Sequence, residues 1–249
     1  MTLRHLTQAI VETARISGPT LFEGIRGSLT PEICDQRLLS WSHKLLEQAG
    51  IRLHVEGLHR APSTEAFVVM SNHQSLYDIP VLFQALRRRL RMVAKRELFK
   101  IPGWGRAMRL SGFVEVDRRD RLQAIQSLEH AKAALQQGTS IWIAPEGTRG
   151  PGAELLPFKQ GGFHLALSIG ARILPVSIDG TSRVLSAHGR HVHEGVDVRV
   201  TVSEPIASAD YGPERRDELV TAVRDAIEAH LHGTREAIDD SATFSRASS

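Results

Sequence analysis

From residue 51 onward, short β-rich runs alternate with helical stretches, and this alternation constrains the fold more than any other feature of the chain. The runs are 51–56, 66–71, 91–94, 113–116, 140–144, 172–178 and 196–202. Between several of them lie segments of helical character, notably 79–88, 119–137 and 162–169. Strands that alternate with helices predict an α/β fold: a mixed, largely parallel sheet flanked by helices. Residues 213–232 read as a closing helix with Pro213 near its start, and the polar, Ser-rich tail from Gly233 is expected to be mobile.

The first fifty residues lack this alternation. Leu3, Leu6, Ile10 and Ala14 recur at steps of three and four and predict a helix over 3–17, ended by Gly18-Pro19. A second helix starts at Thr30-Pro31, a hydroxyl cap followed by proline, and runs to Ala49 before Gly50. The expected organisation is a two-helix module over 1–50, an α/β domain over 51–232 and a tail over 233–249. The module reads as a hairpin packed on its own domain, or as a partly exposed apolar face that meets lipid.

Composition excludes several classes. The chain has 249 residues, 41% hydrophobic and 24% charged, and a single cysteine, Cys34. Disorder, a collagen-like chain and a disulfide scaffold all need other balances. A formal charge of +3 permits an anionic partner without requiring nucleic acid. The sequence shows no run of 18 apolar residues and no signal-peptide pattern at its start, so the expected location is the cytoplasm.

Two segments carry the strongest chemical signals. Asn72-His73-Gln74-Ser75-Leu76-Tyr77-Asp78 follows the apolar run Phe67-Val68-Val69-Met70. His73 therefore falls at the C-terminal end of a strand, where open α/β sheets build their sites. Asp78 is five residues away, a spacing that a regular helix does not align. A loop that turns into a helix lets the carboxylate fold back onto the ring and fix its tautomer, leaving the other nitrogen as a base. Ser75 reads as a cap or turn residue, because the chain has no Gly-x-Ser-x-Gly elbow. Pro145-Glu146-Gly147-Thr148-Arg149 follows the run Ile141-Trp142-Ile143-Ala144 and resembles an anion cradle: a glycine for close approach, a hydroxyl and a planar guanidinium. In Gly112-Phe113-Val114-Glu115-Val116-Asp117-Arg118, Arg118 ends a strand and is placed to converge on the same anion, or to join a solvated charge run with Arg119 and Arg121.

Together these segments resemble the glycerophospholipid acyltransferase family, most closely its 1-acylglycerol-3-phosphate acyltransferases. Residues 72–78, 112–118, 145–149 and Leu174-Pro175-Val176-Ser177-Ile178 are similar to its four blocks in order, with further matches at 93–98, 101–105 and 158–162. The resemblance implies an acyl group passed from a thioester donor, acyl-CoA or an acyl carrier protein, to a lysophospholipid hydroxyl. It implies His73 as general base, Asp78 as its orienting partner, and no covalent acyl-enzyme. Arg118, Gly147, Thr148 and Arg149 would hold the acceptor phosphate, with Glu146 in the same block and Lys95 adding positive charge. It implies no cofactor and no metal, since a thioester is already activated. It also implies a peripheral enzyme at the inner face of the membrane. Other acceptors, glycerol-3-phosphate or a lyso-aminolipid, and a non-catalytic lipid-binding module are the alternatives.

One departure and two rival features accompany the resemblance. Glu115 stands where the family usually has an aromatic or apolar residue, and is expected to face solvent. The basic run Arg87-Arg88-Arg89-Leu90-Arg91, with Lys95 and Arg96, reads as a solvated helix end or as a contact for anionic lipid or an acidic carrier. His188, His191, His193 and Glu194 form a compact group with metal-ligating side chains, which a metal-dependent hydrolase would use.

Overall fold

The computed structural model describes residues 3–116, 121–151 and 154–231. Two helices, α1 (Leu3–Arg26) and α2 (Pro31–Gln48), come first. They lead into β1 (Arg52–Glu56), β2 (Val68–Ser71), α3 (Asp78–Leu86), β3 (Leu90–Lys95), α4 (Arg96–Phe99), α5 (Trp104–Leu110) and β4 (Val114–Val116). The chain continues through α6 (Arg121–Gln136), β5 (Ser140–Ile143), α7 (Gly161–Ile169), β6 (Arg172–Asp179), α8 (Thr181–Val184), β7 (Asp197–Val202), β8 (Ile206–Ala207) and α9 (Arg216–Glu228). The expected tail over 233–249 lies outside the described residues, as does Arg118.

The strand order is β1-β7-β6-β2-β5-β3-β4, with β8 also paired to β6. From β6 to β4 every pair is parallel. Strands β7 and β8 run antiparallel to β6, and β1 runs parallel to β7. The mixed, largely parallel sheet expected from the alternation is therefore present. Parallel strands are covered on both faces and lack polar alternation; all four residues of β2 are buried. Successive side chains point to opposite faces. Val69, Trp142 and Leu174 enter one apolar layer, while their neighbours Val68, Ile141 and Ile173 enter the other. Leu38 and Leu46 of α2 join the first layer, with Leu82 and Phe83 of α3.

Helix α1 departs from expectation in two ways. It does not stop at Gly18-Pro19 but continues to Arg26 with Pro19 inside it. The proline removes one backbone donor, yet tertiary bonds hold the segment across it. The Arg37 guanidinium donates to Thr20 at 3.1 Å and to Glu23 at 2.8 Å, and the Trp41 indole donates to Thr13 at 3.2 Å. The helix is also turned inside out. Its polar side, with His5, Glu12, Ser17 and Thr20, is buried, whereas Leu6, Ile10, Val11, Phe22 and Ile25 are exposed, Ile25 to 71%. Helix α1 packs on α2 and α5, and exposed Leu110 of α5 lies near it, close to Gly24.

The basic run also departs from expectation. Arg89 pairs with Glu32 and Asp35, Arg91 pairs with Asp35 at 2.6 Å, and Arg88 donates to the carbonyls of Ala61 and Pro62. These arginines clamp α2 and the segment before β2 onto the α3–β3 turn. They are bound to the protein's own acceptors, so they offer a lipid surface little free charge.

Candidate active site

The five parallel strands direct their C-terminal ends to one edge of the sheet. In spatial order β2, β5, β3 and β4, that edge carries the loop with His73, the loop 145–150, Lys95 and Val116, the last residue of β4. Segments distant in the sequence thereby become neighbours, as open α/β sheets permit.

The loop after β2 is held from three sides. The Asn72 amide donates to the Ile178 carbonyl at 2.8 Å and accepts from the Ile178 N–H at 2.8 Å, which ties the loop to β6. The Gln74 amide donates to the same carbonyl at 3.1 Å. Ser75 donates to the Leu185 carbonyl at 2.7 Å and accepts from the Tyr77 N–H at 3.2 Å. Its hydroxyl is buried in a turn, as the sequence predicts.

Asp78 opens α3 and is wholly buried. Its Oδ2 accepts from the N–H groups of Gln74 at 2.7 Å and Ser75 at 2.9 Å, and lies 2.7 Å from His73 Nδ1. The other oxygen, Oδ1, accepts from the Thr181 hydroxyl. A buried carboxylate is tolerable only with such a set of donors, and the first turn of a helix further favours its negative charge. The nonhelical turn over 72–77 is what brings residues five apart together. The His73 side chain is 18% exposed. Its ring stands edge-on to Trp142, with centroids 5.7 Å apart, and the Trp142 indole donates to Ser71 at 2.9 Å.

The loop after β5 is stitched to the same residue. The His73 N–H donates to Glu146 Oε1 at 2.8 Å, and the His73 carbonyl accepts from the Gly150 N–H at 2.7 Å. Glu146 Oε2 accepts from the Leu156 N–H at 2.9 Å. Burial raises the Glu146 pKa above the usual carboxylate range, against the pull of its two backbone donors. Gly147 adopts φ +73°, which explains the glycine at this turn. Thr148 is exposed and Arg149 half-buried, and Arg149 has no hydrogen bond or ion pair among the described residues. Lys95 is exposed at the end of β3. The structure thus joins His73, Asp78 and Glu146 directly, and sets Gly147, Thr148 and Arg149 on the adjoining turn.

Two further expectations meet different outcomes. Glu115 does not simply face solvent: its side chain is 17% exposed and accepts two bonds from the Arg109 guanidinium, at 3.0 and 2.7 Å. The strand places it within reach of α5, which carries that arginine. Among the described residues no group of three or more His, Cys, Asp or Glu side chains is arranged to hold a metal, and Glu194 turns instead to His5 of α1 at 3.1 Å. Sequence reading missed Thr181 and Trp142 as neighbours of the pair. Thr181 lies 103 residues from Asp78, and no local pattern links the two.

A family model described as Acyltransferase matches residues 52–179, just over half of the chain. The chain belongs to the acyltransferase family. Among this acyltransferase's relatives is the 1-acyl-sn-glycerol-3-phosphate acyltransferase alpha of Mus musculus. It is 33% identical over 204 residues, covering 82% of this chain and 71% of the mouse protein. The 1-acyl-sn-glycerol-3-phosphate acyltransferase of Escherichia coli is 33% identical over 168 residues, 66% of each protein. The crystal structure of the 1-acyl-sn-glycerophosphate acyltransferase of Thermotoga maritima is similar in fold, with a TM-score of 0.76 and 26% identity. That likeness covers 94% of this acyltransferase and 97% of the Thermotoga chain.

Proposed function

We propose that this acyltransferase moves a fatty acyl group from a thioester donor to the free hydroxyl of 1-acyl-glycerol-3-phosphate, giving phosphatidate. The observation that carries the reading is the His73–Asp78 pair. Asp78 occupies Nδ1 of the ring, while Nε2 makes no hydrogen bond to the described residues. A neutral imidazole held in this way keeps its proton on Nδ1 and offers Nε2 as a base.

In this mechanism Nε2 takes the proton of the acceptor hydroxyl as its oxygen attacks the thioester carbonyl. Asp78 stabilises the imidazolium that forms. When the tetrahedral intermediate collapses, the carbon–sulfur bond breaks, and the departing thiolate takes the proton from Nε2. The acyl group passes directly between substrates. Ser75 is committed to Leu185, and Cys34 is buried in α2 among core side chains, which favours direct transfer over an acyl-enzyme.

The acceptor phosphate is assigned to Gly147, Thr148 and Arg149, with Lys95 contributing charge from the end of β3; Arg118, outside the described residues, is assigned to the same anion on the family resemblance alone. Glu146 serves this site by tying the cradle to His73. The donor is acyl-CoA or an acyl carrier protein, acting as a co-substrate. Docking to a membrane uses the outer face of α1, where Leu6, Ile10, Val11, Phe22 and Ile25 form an apolar stripe with Arg4, Arg15 and Arg26 on the same helix. A helix with an apolar outer face and basic flanks suits an anionic bilayer surface. No helix among the described residues is long and apolar enough to cross a membrane. The reading places the enzyme peripherally on the inner, cytoplasmic face. An acceptor panel tests it: lysophosphatidate, glycerol-3-phosphate and a phosphate-free lysolipid, each with acyl-CoA and acyl carrier donors. Preference for lysophosphatidate, read as phosphatidate by mass, supports the proposal; preference for the phosphate-free acceptor contradicts it.

A further inference from the structure

We infer that Thr181 is a positioning residue for the reaction, acting on His73 through Asp78. The inference rests on the reading of His73 as the base. Asp78 has two oxygens with unequal company. Oδ2 serves His73 Nδ1 and two backbone N–H groups, whereas among the described residues the one hydrogen bond to Oδ1 comes from the Thr181 hydroxyl. Both side chains are wholly buried, so no bulk solvent stands ready to replace that donor.

The backbone around Thr181 is built to hold the hydroxyl still. Gly180, between β6 and α8, has φ +97°, and a Cβ there would meet the Asp197 carbonyl oxygen at 2.5 Å. Only glycine lets the chain pass that strand so closely and then present Thr181. Four residues on, the Leu185 N–H donates to the Thr181 carbonyl at 3.0 Å, and the Leu185 carbonyl takes the Ser75 hydroxyl. The short α8 segment thus grips the 72–78 loop twice, once at the carboxylate and once at the turn. The β-branched side chain of threonine narrows its own χ1 choice, which limits where the hydroxyl oxygen sits.

The consequence for catalysis is orientational. The three contacts at Oδ2 resist a twist about the Cβ–Cγ bond from one side only, and the Thr181 hydroxyl anchors the carboxylate from the other. With both oxygens bonded it stays in the plane that aims Oδ2 at Nδ1, and the ring then presents Nε2 in one direction. Thr181 touches no substrate in this account. Its removal lowers the rate of the chemical step and leaves substrate binding in place.

The experiment compares kcat and KM of the full chain and its Thr181→Val, Thr181→Ser and His73→Ala variants, using lysophosphatidate and acyl-CoA. Thr181→Val keeps the shape and removes the donor. Its kcat is expected to fall about tenfold or more, the scale of a buried acceptor left unpaired, with both KM values little changed. Thr181→Ser restores the hydroxyl and is expected to recover most of that loss. A Thr181→Val enzyme with the original kcat overturns the inference, and so does an equal loss in the Val and Ser variants, which would mark a packing role. If Thr181→Val fails to fold, Thr181→Cys keeps the size with a weaker donor; its kcat is expected below that of the Ser variant, and equality with it overturns the inference. An inactive His73→Ala beside a fully active Thr181→Val removes this inference alone, whereas an active His73→Ala removes the underlying assignment as well.

Discussion

The backbone N–H of His73 donates to Glu146 Oε1 at 2.8 Å, so the loop that follows β5 holds the loop that follows β2. The same carboxylate takes the Leu156 N–H on its other oxygen at 2.9 Å. One buried acid therefore joins three segments at the site.

Replacing Glu146 by Gln leaves one amide oxygen for two backbone donors. The other donor then faces an NH2 group. The expected cost is about 1–3 kcal/mol of unfolding free energy, the scale of one unsatisfied buried group. Urea unfolding of the two proteins checks it.

The same residue predicts a pH dependence. The folded Glu146 carboxyl holds its proton more tightly than the unfolded one, whose reference value is 4.5. Its contribution to stability is full below that value and is lost as pH rises through the raised one. As pH rises above that reference value, the wild-type urea midpoint should carry a downward component that the Glu146→Gln variant lacks.

Arg149 projects from the Gly147 turn with no partner of its own among the described residues. Arg149→Ala should raise the KM for lysophosphatidate by about tenfold or more, the scale of a charge-assisted bond, with a much smaller effect on the KM of the donor. Arg149→Lys should recover only part of the loss, because a lysine lacks the planar fork. Steady-state kinetics with each substrate varied in turn gives the answer.

How much of this was legible in the sequence depended on how local each signal was. The alternation of strand and helix, the His73–Asp78 contact and the buried turn of Ser75 all lie within a few residues, and they appear as read. The sequence predicts that helix α1 ends at Gly18-Pro19, because the bonds that carry it past Pro19 come from Arg37 and Trp41 on another helix. From sequence the basic run reads as a solvated helix end or as a contact for anionic lipid or an acidic carrier, because its acceptors Glu32 and Asp35 lie more than fifty residues upstream. Thr181 was invisible for the same reason. Tertiary partners at long separation leave no periodic trace.

The outer face of α1 gives a membrane prediction. Ile25→Glu and Phe22→Glu each place a charge on the exposed apolar stripe. Folding should be little affected, because both positions already face outward. Co-sedimentation with anionic phospholipid vesicles should weaken by about tenfold for the double variant, since each lost apolar contact is worth on the order of 1 kcal/mol or more.

Arg87 ends α3 in the left-handed region at φ 44°, where a side chain is strained. Arg87→Gly should stabilise the fold by about 0.5–1 kcal/mol and leave turnover unchanged. Thermal unfolding with a parallel activity assay checks both halves.

The central claim is that His73, oriented by Asp78, removes the proton from the acceptor hydroxyl. Its most direct test is the turnover of folded His73→Ala with lysophosphatidate and acyl-CoA, with folding verified by circular dichroism. The account predicts a loss of at least about 100-fold in kcat, the lower scale of general-base catalysis. Turnover near the wild-type rate would contradict it.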